Sequence, residues 1–168
     1  MIVGENGAGK STLLKIIMGL VYPTSGVINL NNQRIGYVPE KITIPKLISI
    51  TKFLKVMKEL KQGSDDEIAS YLAYWDIEKA KDKRLGELSK GMLQKVIIIQ
   101  AFLGNPDVLI FDEALNGLDS TMQKKLIELI KQENKKSKII LITSHYQAFY
   151  DEVIDKTISI RNGKLWEK

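Results

Sequence analysis

The sequence contains no cysteine. That excludes a disulfide framework and a thiolate metal site, and it fits a reducing compartment. No apolar run approaches the roughly 20 residues that a bilayer-spanning helix needs, so any role at a membrane has to pass through a partner. No basic-then-apolar leader with a cleavage site stands ahead of Gly4. Internal repeats, linkers and low-complexity tracts are missing. So are zinc-finger spacings and the aromatic pattern of RNA-recognition domains, and no nucleic-acid partner is expected.

What is present is ordinary for a globular chain. The 168 residues suit one domain, or a core with a small inserted subdomain. The hydrophobic fraction is 44% and the charged fraction 27%. Net charge is +5. The lysines read as scattered over a solvated surface, with one small cluster at Lys135, Lys136 and Lys138.

Met1, Ile2 and Val3 form an apolar stub ahead of a Gly-rich segment. Residues 10–20 carry apolar side chains at helical spacing. Turn chemistry at Tyr22-Pro23-Thr24-Ser25-Gly26 follows. Segments 27–30 and 34–38 read as two short strands joined in a hairpin around Asn31 and Asn32. Beyond Pro39, Leu47, Ile50, Phe53, Leu54, Met57 and Leu60 mark one helical face, which Gly63 ends. Ser64 with Glu67 forms a capping box for the next helix, whose apolar face includes Ile68, Leu72 and Trp75. Residues 41–88 therefore read as a helical insertion into a core of 1–40 and 89–168, with Phe53 and Trp75 inside it. Ser89 is placed to cap a long helix that Gly104-Asn105-Pro106 stops. Segment 108–111 reads as a strand buried on both faces, 120–134 as a helix and 139–142 as a second buried strand. Segments 157–160 and 164–166 flank Asn162-Gly163, a hairpin signal. Strand and helix alternate, which predicts an α/β fold: a parallel sheet between two helical layers.

Gly4-Glu5-Asn6-Gly7-Ala8-Gly9-Lys10-Ser11 matches the phosphate-loop pattern G-x-x-x-x-G-K-[ST] in full. Glycines let successive backbone N–H groups curl inward around an anion. The following helix adds its positive N-terminal end. Lys10 is placed for the β- and γ-phosphates and Ser11 for Mg²⁺, with Thr12 supporting the phosphates. This loop alone does not choose between kinase, GTPase and ATPase. Asp112 and Glu113 stand where the strand 108–111 leaves the sheet, the edge at which open α/β sheets bind ligands. Asp112 is placed to hold Mg²⁺ and Glu113 to activate a water as general base.

Leu88-Ser89-Lys90-Gly91-Met92 resembles the signature segment of ABC ATPases, usually L-S-G-G-Q. Asn116-Gly117-Leu118-Asp119 resembles the D-loop of that family, His145 its switch histidine, and Tyr37-Val38-Pro39-Glu40 its Q-loop. With the phosphate loop and the acidic pair, these motifs stand in the family's order, and the resemblance spans essentially the whole chain. It looks closest to the ATP-binding subunits of bacterial multidrug, bacteriocin or antibiotic-resistance exporters. The resemblance implies the P-loop NTPase fold and ATP with Mg²⁺ as ligands. It implies a head-to-tail homo- or heterodimer in which Ser89 and Gly91 meet the partner subunit's ATP. It also implies a γ-phosphate role for His145, a metal or water contact for Glu40, and a D-loop link between interface and site for Asp119. An integral membrane subunit would hold the chain at the cytoplasmic face of the membrane, docked on the helical insertion and residues 40–46.

The chain departs from the family pattern at several points. Glu40 replaces a glutamine and adds negative charge beside ATP. Lys90 and Met92 replace a glycine and a glutamine. Ala114-Leu115 stand where Pro-Thr is common, which should loosen that turn slightly. Family members carry further strands and an adenine-stacking aromatic ahead of the loop, where this chain has three residues. The expectation is a fragment or mis-started frame with an incomplete antiparallel β-subdomain, an exposed sheet edge and weakened ATP binding. A catalytically weak nucleotide-binding fragment and a non-transport ABC ATPase are the alternative readings.

Overall fold

A computed structural model describes residues 1–145, 147–161 and 163–167. The chain runs β1 (Ile2–Val3), α1 (Lys10–Ile17), β2 (Ile35–Val38), α2 (Ile50–Lys61), α3 (Asp65–Tyr74), α4 (Lys90–Phe102), β3 (Val108–Asp112), α5 (Ser120–Asn134), β4 (Ile139–Thr143), β5 (Ile158–Arg161) and β6 (Lys164–Glu167). The six strands make one sheet in the order β2-β3-β4-β1-β5-β6. All neighbours are parallel except β5 and β6. This is the expected α/β architecture, and the short apolar stub at residues 2–3 is an inner strand of it.

Alternation along β3 divides the core. Leu109 and Phe111 point into a cluster with α4 and α5, while Val108 and Ile110 point into a smaller cluster with Leu14 of α1. Every β3 residue is buried, as its unbroken apolar run requires. The helix α4 lies so close to β2 that a Cβ at Gly36 would meet the Ala101 carbonyl oxygen at 2.0 Å. Helices α2 and α3 pack on α4, and Trp75 at the end of α3 is fully buried. The capping box forms as expected: Ser64 Oγ accepts from Glu67 N at 3.1 Å, and Ser64 N donates to the Glu67 carboxylate at 2.7 Å.

Several expectations need correction. The hairpin of 27–30 with 34–38 does not form: β2 pairs in parallel with β3, and residues 27–30 make no strand. The turn itself exists, with Asn31 and Asn32 at φ 46° and 61° and Gln33 N bonded to the Leu30 carbonyl. Turn residues alone did not decide the pairing. β3 offers β2 a buried neighbour along its full length, whereas Val27 stays 96% exposed. Helix α2 starts at Ile50, not Leu47, because Ser49 caps it through Lys52 N and residues 46–49 bond to 84–86 instead. It ends on Gln62 in the left-handed region, one residue before Gly63. Helix α1 stops at Ile17 and leaves Leu20 exposed. Strand β4 is buried only at Ile142 and Thr143. β5 and β6 pair antiparallel as predicted, although Asn162 of the predicted turn lies outside the described residues. Lys136 and Lys138 of the small basic cluster pair with buried Glu133.

Candidate functional site

The loop from β1 to α1 is built by backbone conformations that glycine favours. Gly7 sits at φ 81° and Gly9 at φ 102°, immediately ahead of α1. No side chain caps α1, and its first turn carries no acid, so its N-terminal N–H groups and dipole point into the loop. Lys10 Nζ donates to the carbonyls of Gly4 (2.8 Å) and Glu5 (3.1 Å), which places the ammonium within the curl.

A cavity of about 420 Å³ opens over this loop. It brings Asn6, Gly7, Gly9, Lys10, Ser11 and Thr12 together with Glu40, Asp112, Glu113 and His145. The parallel register explains the convergence: β3 and β4 end side by side with Asp112 opposite Thr143, and the chain leaves each strand at the same sheet edge. Asn116 also lines the cavity. Gly4, Glu5 and Ala8 instead face a neighbouring cavity of about 890 Å³, bounded by Ser159, Ile160 and Arg161 of β5. A Cβ at Gly4 would lie 2.8 Å from the Ile160 carbonyl oxygen, so this tight approach to β5 favours glycine.

One side chain that sequence reasoning passed over, Thr143, ties the acidic pair in place. Thr143 Oγ1 donates to Asp112 Oδ1 at 2.6 Å and accepts from Glu113 N at 3.2 Å, and Glu113 N also donates to the Thr143 carbonyl. A polar residue closing Ile-Ile-Leu-Ile-Thr beside Val-Leu-Ile-Phe-Asp was the signal. Tyr37 of the Q-loop segment stands near Asp112, and its phenol is pushed up to about 12 by burial first and then by the charge of Asp112, so it stays neutral. Gln94 Nε2 donates to the Ala114 carbonyl at 3.1 Å, and Ala114 and Leu115 are buried. The turn expected to be loose is therefore packed and tied.

Glu113 has φ 52°, unusual for a non-glycine residue and typical of functional sites. Its Oε2 accepts from His145 N at 3.3 Å, and its Oε1 lies 3.4 Å from His145 Nε2. That Oε1 is buried and has no hydrogen-bond partner among the described residues. Behind it stands Tyr150, fully buried, whose hydroxyl is pushed well up by burial and by the charge of Glu113.

The residues fit magnesium and a polyphosphate together. Three carboxylates and one lysine face the cavity, so a phosphate chain entering alone would meet net negative charge. A divalent cation would remove that conflict, and Asp112 and Ser11 are the residues that would hold it. No group of three or more His, Cys, Asp or Glu residues among the described residues forms a metal cage. Mg²⁺ suits such a site, since it commonly binds through one or two carboxylates plus substrate phosphates.

Ser89, Gly91 and Asp119 do not join this cavity. Ser89 is the exposed N-cap of α4 and accepts from Met92 N at 3.2 Å. Gly91 lies against the backbone of Gly117. Asp119 caps α5 through Met122 N at 2.9 Å.

The sequence profile of the ABC transporter family matches residues 1–116. An uncharacterized ABC transporter ATP-binding protein of Methanocaldococcus jannaschii is 32% identical over 97% of this chain and 63% of its own length. The zinc import ATP-binding protein of Haemophilus influenzae is 41% identical over 86% of this chain and 54% of its own length. The solved structure of an ATP-binding subunit of an ABC transporter superposes with a TM-score of 0.89 at 28% identity, covering 99% of this chain and 77% of that one. The chain thus spans roughly three fifths of the first curated relatives. The narrower likeness to multidrug, bacteriocin or antibiotic-resistance exporters is not what these relatives show.

Proposed function

This chain belongs to the ABC transporter family, and from that premise we propose that it binds and hydrolyses ATP as the nucleotide-binding subunit of a transporter. The observation that carries the proposal is the convergence of the phosphate loop, Asp112, Glu113, Glu40 and His145 on one cavity. Backbone N–H groups of the loop and the α1 N-terminus bind phosphate oxygens. Lys10 turns from the loop carbonyls to the β- and γ-phosphates. Asp112, oriented by Thr143, and Ser11 would hold Mg²⁺, with Glu40 at the cavity edge for a water or metal contact. The cation, when bound, neutralises charge on the phosphate oxygens. Glu113 Oε1, buried and without a hydrogen-bond partner, takes a proton from the attacking water, and His145 donates toward the γ-phosphate.

Ser89 and Gly91 lie outside the cavity, at the exposed start of α4. That position supports a head-to-tail dimer in which they meet the ATP of a second subunit. Hydrolysis then removes a contact that both subunits share and lets them part. A membrane subunit docks on 41–88 and holds the chain at the cytoplasmic face. No helix among the described residues is long and apolar enough to cross a membrane itself. The zinc-import relative favours import over export, with the membrane subunit selecting the substrate.

ATP turnover tests this reading. Glu113→Gln should lower kcat by about 10²–10⁴-fold while leaving MgATP affinity within about twofold, as loss of a general base requires. Equal turnover in the two proteins would remove Glu113 from the mechanism.

A further inference from the structure

The net charge of +5 is segregated rather than scattered. Residues 41–57 hold four lysines and no acid, and residues 78–87 hold four basic and three acidic side chains. These two stretches carry the whole excess, because the remaining seventeen basic and seventeen acidic residues cancel. The fold joins them. Ser49 pairs antiparallel with Arg84, Ile50 N bonds the Lys83 carbonyl, and Leu85 N and Gly86 N bond the carbonyls of Ile48 and Lys46. All eight basic side chains are exposed, and none takes part in an ion pair among the described residues. Leu47, next to Lys46 in the chain, is 81% exposed. The buried Ile50, Phe53, Leu54, Trp75 and Leu85 hold this face on a packed core.

We propose that this face binds an acidic segment of the membrane subunit, with the exposed Leu47 as an apolar anchor on the basic face. The inference rests on the reading of this chain as a transporter subunit and adds the charge of the segment that docks there. Unpaired like charges on a rigid surface call for an opposite field in the partner. One apolar anchor within a charged rim is the anatomy of a protein interface. Glu78, Asp82 and Glu87 break the positive strip into a pattern, which a folded partner can match. An anionic lipid surface responds chiefly to the summed charge.

The test titrates the full chain with a short amphipathic peptide carrying glutamates on one helical face and leucines on the other. A peptide with lysines in place of the glutamates, and vesicles of phosphatidylserine and phosphatidylcholine, serve as comparisons at the same low salt. The glutamate peptide should bind and the lysine peptide should not. The triple change Lys46→Glu, Lys52→Glu, Lys83→Glu should weaken glutamate-peptide binding roughly tenfold. The distal triple Lys124→Glu, Lys135→Glu, Lys164→Glu alters net charge equally and should leave it unchanged. Failure of the glutamate peptide to bind wild-type protein, or equal weakening by both triples, overturns the proposal. Vesicle binding that the first triple abolishes while peptide binding persists assigns the face to lipid and also overturns it. MgATP affinity of the same samples separates the two readings. Wild-type protein that binds the peptide without binding MgATP sinks the ATPase reading alone.

Discussion

Replacing Thr143 with valine removes one oxygen from the wall of the site and little volume. The lost hydroxyl donates to Asp112 Oδ1 at 2.6 Å in a buried setting and accepts from Glu113 N. Glu113 N keeps a second partner, the Thr143 carbonyl, so the backbone is not orphaned. The main loss is therefore one hydrogen bond to a buried carboxylate, worth about 1.5–3 kcal/mol. Urea denaturation followed by circular dichroism should show Thr143→Val less stable by about 2 kcal/mol with an unchanged slope. Thr143→Ser keeps the hydroxyl and loses a methyl group, at a cost of about 1 kcal/mol. MgATP affinity should fall in the valine variant and hold in the serine variant, because only valine leaves Asp112 free to turn. A valine variant as stable as wild type, beside a weaker serine variant, would show that packing and not the hydroxyl supports Asp112.

Gly36→Ala should destabilise severely, by about 3 kcal/mol or more in the same assay, since its Cβ would meet the Ala101 carbonyl oxygen at 2.0 Å. Ser89→Ala should cost about 1 kcal/mol as a lost N-cap, and ATP turnover should fall further than that loss of folded protein explains. Burial lowers the Lys61 amine to about 8 against 10.5 in the unfolded chain. The unfolded state then binds the extra proton between those values, so stability should rise with pH from about 8 to 10.5. The gain is at most roughly 3 kcal/mol, reduced by the bonds from Lys61 Nζ to Gln100 that favour the charged amine. Subtracting the profile of Lys61→Met isolates this slope, and parallel profiles would contradict it.

Motifs with local physics were legible in the sequence. The phosphate loop, the capping box at Ser64, the cap at Ser89 and the buried run of β3 depend on neighbours within a few residues, and all form. Pairing was harder to read. Segment 27–30 has strand composition and a turn beside it, yet β2 takes β3, a neighbour distant in sequence, as its partner. The site followed the same division. Asp112 and Glu113 announce themselves by position after a strand and His145 by resemblance, whereas Thr143 acts through register across the sheet. The two basic stretches can be counted along the chain, but that 41–57 and 78–87 meet shows only when the backbone between them folds back.

Calorimetric titration of MgATP into the chain and into Lys10→Ala tests the central claim most directly. Saturable one-site binding by the wild-type protein, weakened at least about tenfold by Lys10→Ala and lost without Mg²⁺, is the predicted result. Wild-type protein that binds no MgATP, or binds it equally well with alanine at position 10, would contradict the assignment of this cavity to ATP.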